Sequence, residues 1–338
     1  MRSSAISVFG NVADFQAALS VQGRATIVLT QGGRFYARLA QVGVPKMLIW
    51  HVEESLPRIA FIECPEDTFL VASPAPSRQT MIWAGLEIGP NHLVSVSPRQ
   101  RLHVRTLGPC RWKAVWFSAT ALAGYGRALL GAEPATPHEV CRWQVSPAAR
   151  HELLDLVSVA TNAISHNPQP LTCDDAVHGL EQQMIHALVD CIASATPDPG
   201  SDLRRRSQRV AVRLEQLLEE TGSRDLKTRD ICLAIGAPER FLRHSCSTQL
   251  GIGFASYRKL RLLQAARRAL SEGPAEKVSI AKVANRFGFY HLGRFASAYR
   301  QLFGELPSAT AFRGPHEAVA ALRRQRRVHG RVESQKLT

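Results

Sequence analysis

Arg240, Arg243 and His244 stand at a spacing that stacks side chains on one face of a helix, and His291, Arg294 and Ser297 repeat the pattern further along the chain. Side chains grouped this way carry several hydrogen-bond donors outward, chemistry suited to an anionic surface. Residue sets for covalent or metal chemistry are not found beside them. The cysteines, Cys64, Cys110, Cys141, Cys173, Cys191, Cys232 and Cys246, are scattered without a C-x-x-C pair, which predicts small buried hydrophobes in a reducing compartment. His51, His92 and His103 stand far apart in the sequence, with no H-x-H pair to supply the two histidines of a two-histidine, one-carboxylate iron site. There is no Gly-x-Ser-x-Gly elbow, and Gly124-Tyr-Gly126 lacks the Gly-Lys-Ser/Thr that completes a phosphate loop. The expectation is a protein that is not an enzyme, with no cofactor and no metal.

Charge singles out the same part of the chain. Residues 1–200 carry 15 Lys and Arg against 16 Asp and Glu, whereas residues 201–338 carry 27 against 12. The net +14 of the 338 residues therefore belongs entirely to the C-terminal part, and a field of that sign attracts polyanions. Nucleic acid is the leading partner class and an anionic membrane surface the second. No apolar run is long enough to span a bilayer and Met1–Asn11 has no secretory profile, so a cytoplasmic protein without a membrane partner is expected.

The elements that must position these cations read as a repeat. Gln208–Glu220 places Val210, Leu214, Leu217 and Leu218 on one helical face and ends at Thr221-Gly222. A short helix with Ile231, Ala234 and Ile235 inward stops at Gly236. Pro238 restarts the chain where a missing N–H costs nothing, with Glu239 near the positive end of the new helix dipole. The second copy runs from Ser279 through Ile280, Val283, Ala284 and Phe287, turns at Gly288-Phe289, and continues over Leu292–Phe303 with Phe295, Tyr299 and Leu302 inward. Both copies are helix, glycine turn, helix. Phe254–Leu270 joins them, with a basic side made of Arg258, Lys259, Arg261, Arg267 and Arg268.

Upstream, short β-branched and aromatic runs recur about every ten residues between 25 and 120: Thr26–Thr30, Phe35–Leu39, Met47–Trp50, Ile59–Ile62, Phe69–Ala72, Met81–Trp83, His92–Val96 and Val115–Phe117. They predict an antiparallel barrel or sandwich. Two amphipathic helices follow, one through Ala149, Leu153, Leu156, Val157, Ala160 and Ile164, the other through Leu180, Met184, Ile185, Leu188, Val189 and Ile192, suited either to their own barrel or to a dimer contact. Phe35, Tyr36, Trp50, Phe61, Phe69, Trp83, Trp116 and Phe117, with Arg38, Arg58 or Glu63, are candidates for an apolar pocket, set against ordinary core and surface roles. Ala193–Ser207, with prolines, a glycine and no apolar period, reads as a linker that moves.

The segment Arg205–Arg313 resembles the DNA-binding domain of the AraC/XylS family of bacterial regulators. The resemblance rests on Ser279-Ile-Ala-Lys-Val-Ala-Asn-Arg-Phe-Gly-Phe289, then Phe295, Tyr299, Phe303-Gly304, Pro307 and Arg313, and more loosely on Gly251, Tyr257, Arg261, Leu262 and Ala265. Departures are Pro238 and Gly293 where serine is common, Cys246 for phenylalanine and Ser297 for arginine. Phe35–Gly43 through Glu54–Arg58 is weakly similar to regulators like the ethanolamine-operon activator. By matched position the resemblance implies Glu239, Arg240, Arg243, His244, His291, Leu292, Arg294 and Ser297 as base-facing residues. Backbone contacts are expected at Arg258, Lys259, Arg267, Lys282 and Arg300. It further implies double-stranded DNA as partner, two recognition helices in successive major grooves, an unidentified small effector, a homodimer, and RNA polymerase as a further partner.

The expected architecture is α+β. Residues 1–192 form a mainly β, cupin-like barrel or sandwich with helices that senses an effector or dimerises, 193–207 the linker, 208–313 an all-α domain with two helix-turn-helix units, and 314–338 a basic, disordered tail including Arg323-Arg-Gln-Arg-Arg327. The expected function is a sequence-specific transcription regulator, an activator by family habit. The rival classes are a nonspecific architectural DNA binder and a barrel enzyme fused to a DNA-binding domain.

Overall fold

The computed structural model describes residues 4–75, 80–130, 139–166, 173–193, 195–222, 226–272 and 279–312. Arg313 and the basic tail 314–338 lie outside the described residues.

Two antiparallel sheets make the N-terminal body. The larger orders β1 (Ser4–Phe9), β3 (Ala37–Val44), β4 (Met47–Glu54), β11 (Cys110–Ser118), β6 (Thr68–Pro74), β9 (His92–Val96), β12 (Cys141–Gln144) and β13 (Thr196–Asp198). The smaller orders β2 (Ala25–Leu29), β5 (Arg58–Glu63), β10 (Arg101–Thr106), β7 (Met81–Trp83) and β8 (Leu86–Ile88). Alternation along each strand divides its side chains between two cores. Trp50, Trp112, Ala114 and Trp116 of the large sheet share one core with Ile27, Ala60, Ile62, Leu102, Val104 and Trp83 of the small sheet. The tryptophans fill that interior edge to face, Trp50 against Trp116 at 5.3 Å and Trp83 against Trp112 at 6.4 Å. Helix α1 (Val12–Leu19), capped by Asn11, inserts Phe15 between Phe9 and Phe35.

Each sheet has its outer face covered as well, which is why several strands are near-continuous apolar runs. Ile49, Val71, Val115 and Phe117 pack beneath α3 (Pro147–His166) and α4 (Asp174–Ala193), together with α2 (Ala119–Leu130) at its Leu122. The apolar faces of α3 and α4 are therefore spent on their own sheet. Lys113 donates to the Leu154 carbonyl at 2.8 Å, and Arg150 to the Pro74 carbonyl at 2.7 Å, so the cations on that sheet face are satisfied by it.

The outer face of the small sheet is covered by the C-terminal domain, where Val28, Ile59 and Phe61 share a core with Val210, Ala211, Leu214 and Tyr257. That domain comprises α5 (Asp202–Glu220), α6 (Thr228–Ile235), α7 (Glu239–Ser245), α8 (Phe254–Glu272), α9 (Ile280–Arg286) and α10 (Leu292–Phe303). The stretch 193–207, expected to be a moving linker, contains regular structure. Strand β13 pairs with β12, Gly200 donates to Asp198 at 2.8 Å, and Ser201 caps α5, whose first residue, Asp202, lies six residues before the expected start. The prolines and glycine mark turns between these elements.

The pocket candidates do not converge. Trp50, Trp83 and Trp116 lie in the inter-sheet core, Phe69 and Phe117 under α3 and α4, Phe61 against the C-terminal domain, and Tyr36 is exposed. Arg58 is buried and doubly bonded to Glu54, at 2.6 and 2.7 Å, while Trp112 Nε1 donates to the same carboxylate at 2.7 Å.

Candidate nucleic-acid interface

In the first unit α6 ends at Gly236, whose left-handed φ of 65° lets Ala237 N–H return to the Cys232 carbonyl at 3.1 Å. Pro238 then occupies the cap position of α7 without a side-chain bond, and Glu239 begins the first turn. Leu242 and Cys246 are fully buried against α5 and α8, which fixes the rotation of α7 and leaves Glu239, Arg240, Arg243 and His244 exposed. Glu239 accepts from Arg243 Nη2 at 2.6 Å and Nε at 2.8 Å, so the guanidinium is held along the helix. The helix passes into a π turn, Cys246–Leu250, and stops at Gly251.

The second unit is built alike. Ser279 caps α9 by accepting from Lys282 N–H at 3.3 Å, and Gly288 has φ 80° at the turn, after which Phe289 N–H bonds the Ala284 carbonyl at 2.9 Å. On α10, Phe295, Tyr299, Leu302 and Phe303 face inward, with Phe289 against Phe295 at 5.1 Å and Tyr299 against Phe303 at 4.6 Å. His291, at the cap position, and Leu292, Arg294, Ser297 and Arg300 are exposed, as is Lys282 on α9. Among the described residues the two units thus offer the same element twice, the exposed start of a short helix, with Arg240 and Arg243 on the first and Arg294 on the second.

Helix α8 fixes the units to one another, and its cations divide in two. Lys259 is exposed and Arg258 half-buried. Arg261 instead pairs with the buried Glu215 of α5 at 2.8 Å, and Tyr257 donates its hydroxyl to the same carboxylate. Burial pushes the Glu215 carboxyl up, to about 6, against the opposing pull of Arg261 and the Tyr257 hydrogen bond. Arg267, expected at the DNA backbone, lies 3.2 Å from Glu305 and 4.6 Å over the Phe303 ring, with its side chain largely buried. Its charge is paired within the domain, where it braces the end of α10.

Contacts to the small sheet were not anticipated from sequence. Glu219 of α5 accepts from Thr26 at 2.6 Å and Arg101 at 2.6 Å, Gln208 donates to the Arg101 carbonyl at 3.0 Å, and Gln264 of α8 donates to the Ile27 carbonyl at 2.7 Å. These bonds hold the Glu219 carboxyl below its ordinary range despite burial. His103 of β10 lies wholly buried 6.0 Å from Phe61, which in turn contacts Tyr257 of α8. Burial pushes its imidazole down to about 3, so it is neutral at physiological pH.

Comparison with known proteins agrees with this geometry. A family model described as a helix-turn-helix domain matches residues 231–313. The XylDLEGF operon transcriptional activator of Pseudomonas putida is 32% identical over 170 residues, 48% of this chain and 51% of that protein. A probable thc operon regulatory protein of Rhodococcus erythropolis is 31% identical over 91 residues, 27% of each. The chain spans about half the length of the first of these relatives. Among solved structures, the AraC-like transcriptional activator CuxR aligns at 17% identity and TM-score 0.42, over 78% of this chain and 95% of its own. ToxT of Vibrio cholerae aligns at 10% and 0.31, over 86% and 97%. The C-terminal domain thus holds two helix-turn-helix units, and residues 231–313 of it match the helix-turn-helix family model.

Among the described residues no His, Cys, Asp and Glu side chains cluster to hold a metal ion, and no helix is long and apolar enough to cross a membrane.

Proposed function

We propose that this protein is a sequence-specific DNA-binding transcription regulator, and that it activates transcription as the P. putida relative's name states for that protein. The observation that carries the reading is the repetition: two helix-turn-helix units, each exposing cations at the start of its second helix, joined by α8 within one matched domain. Residues 208–313 are the reader and residues 1–192 the sensing or dimerising body, with 314–338 a basic tail. In this reading Glu239, Arg240, Arg243, His244, His291, Leu292, Arg294 and Ser297 face bases, and Arg258, Lys259, Lys282 and Arg300 face phosphates. An effector or a second copy acts by changing how the small sheet holds α5 and α8. The protein works in the cytoplasm, without enzymatic activity, and RNA polymerase is its partner at the promoter.

A footprint on DNA from upstream of its own gene tests this. Two protected patches on one face of the duplex, about 34 Å or one helical turn apart, are expected. Continuous protection that follows protein concentration without fixed borders contradicts the reading.

A further inference from the structure

Helix α5 carries a row of arginines that neither the family match nor the matched-position reading covers, since the match begins at Ile231. Arg206, Arg209 and Arg213 are spaced i, i+3 and i+7, so they share one face, and all three are exposed. The neighbouring Arg204 and Arg205 are engaged elsewhere, Arg204 with the Ala84 carbonyl and Arg205 with Asp202 and Glu139. Among the described residues no carboxylate pairs with Arg206, Arg209 or Arg213. The acids of α5 are engaged or distant: Asp202, four residues before Arg206, is bonded to Arg205, Glu215 to Arg261 and Glu219 to Arg101, and Glu220 stands two turns beyond Arg213.

The row is anchored to the first reading unit at both ends. Arg206 lies over the Phe241 ring at 5.6 Å, and Phe241 stacks on His244 of α7, with ring centroids 6.2 Å apart and planes at 27°. Arg213 donates to the Ile235 carbonyl at 3.3 Å, at the last residue of α6 before the turn. The arginines therefore run beside the turn and recognition helix of the first unit, with guanidiniums held by an aromatic face and a carbonyl. From Arg206 to Arg213 the helix rises about 10.5 Å. Four successive phosphates of one DNA strand, three steps of about 3.4 Å, advance about 10 Å along the duplex axis, so the row spans that stretch of backbone.

We infer that Arg206, Arg209 and Arg213 form a phosphate-binding track that grips one strand of the duplex flanking the groove read by α7. The inference rests on the DNA-binding reading above and assigns this track to affinity alone, since phosphate contacts position the protein without reading sequence.

The test uses the full chain and a triple variant, Arg206→Gln, Arg209→Gln and Arg213→Gln, with the triple lysine variant as the charge-retaining control. Binding to the duplex from upstream of its own gene and to a scrambled duplex of equal length is titrated by fluorescence anisotropy over a salt series. The glutamine variant is expected to bind both duplexes more weakly by the same factor. Its slope of log K against log salt should be shallower than wild type by about 2 to 3, at about 0.9 per lost phosphate contact. The lysine variant should keep most of the slope. An unchanged slope in a glutamine variant with wild-type circular dichroism overturns the track while leaving the regulator reading intact. Equal wild-type affinity for the two duplexes, with the slope still falling in the variant, overturns the regulator reading and leaves the track. Arginine-dependent binding to anionic vesicles, with no change on DNA, assigns the row to a membrane surface and overturns it.

Discussion

Arg101 on β10 and Glu219 on α5 meet at 2.6 Å across the junction between the small sheet and the first reading unit, with side chains only 10% and 17% exposed. A pair so shielded has the contact strength of a charge-assisted hydrogen bond, unlike the weak ion pairs of open surfaces. A double-mutant cycle with Arg101→Met and Glu219→Gln, measured by urea unfolding, should give a coupling of about 1–3 kcal/mol. A coupling below about 0.5 kcal/mol would show that the junction is held by its apolar core alone.

Arg243 and Glu239 form the opposite case, an exposed pair with side chains 62% and 50% accessible. Removing it should leave stability within about 0.5 kcal/mol. Arg243→Ala should nevertheless lose about 1–3 kcal/mol on the best site and much less on random DNA, because a bidentate arginine–guanine contact is worth that much discrimination. Equal losses on both sequences in a gel-shift titration would assign Arg243 to the backbone.

Two glycines at left-handed φ separate backbone strain from the junction. Gly288 has φ 80° and nothing within 4 Å of an added Cβ, so Gly288→Ala should cost about 1–2 kcal/mol, from conformation alone. Gly251 has φ 70° and its added Cβ would overlap the Arg105 guanidinium of β10. Gly251→Ala should therefore cost the same backbone strain plus a small increment for displacing the flexible guanidinium end, an increment that Arg105→Ala should remove. Equal thermal shifts for the two alanine variants would remove Arg105 from contact with the first unit.

Acid should weaken the fold through His103. Its imidazole falls to about 3 in the folded protein against an ordinary 6.5, so the unfolded chain takes up a proton that the folded chain refuses. The stability this neutral histidine contributes is complete above pH 6.5 and declines by about 1.4 kcal/mol for each pH unit below it, down to about pH 3. His51, lowered to about 4 by burial and by Lys113, adds a decline of the same sign between 6.5 and 4. The urea midpoint of His103→Phe should depend less steeply on pH over that window than that of wild type.

The repeat was legible because its signals are local. Gly236 and Gly288 end one helix, and Ile231, Leu242, Phe295 and Tyr299 recur at helical spacing, so both units and their exposed faces follow from short windows of sequence. The strands at Ile59, Phe69 and Met81 were legible for the same reason. Strand β10 carries no such local signal, because Arg101, His103 and Arg105 interrupt its apolar pattern. These residues face Glu219, Phe61 and Gly251, contacts made by segments far along the chain that no local pattern records. The partner of Arg267 was hidden for a related reason: a basic helix face looks uniform until Glu305, brought back by the turn after α10, pairs with one of its members. Ser201 and Asp202 carried a usable capping signal, masked by the neighbouring prolines.

The most direct test of the central claim is anisotropy titration of the full chain on DNA from immediately upstream of its gene and on scrambled DNA of equal length, at two salt concentrations. A regulator of this kind should prefer the former by about 10³ or more and keep that preference as salt rises. Equal affinities that fall together with salt would leave a basic surface without sequence recognition, and would contradict the account.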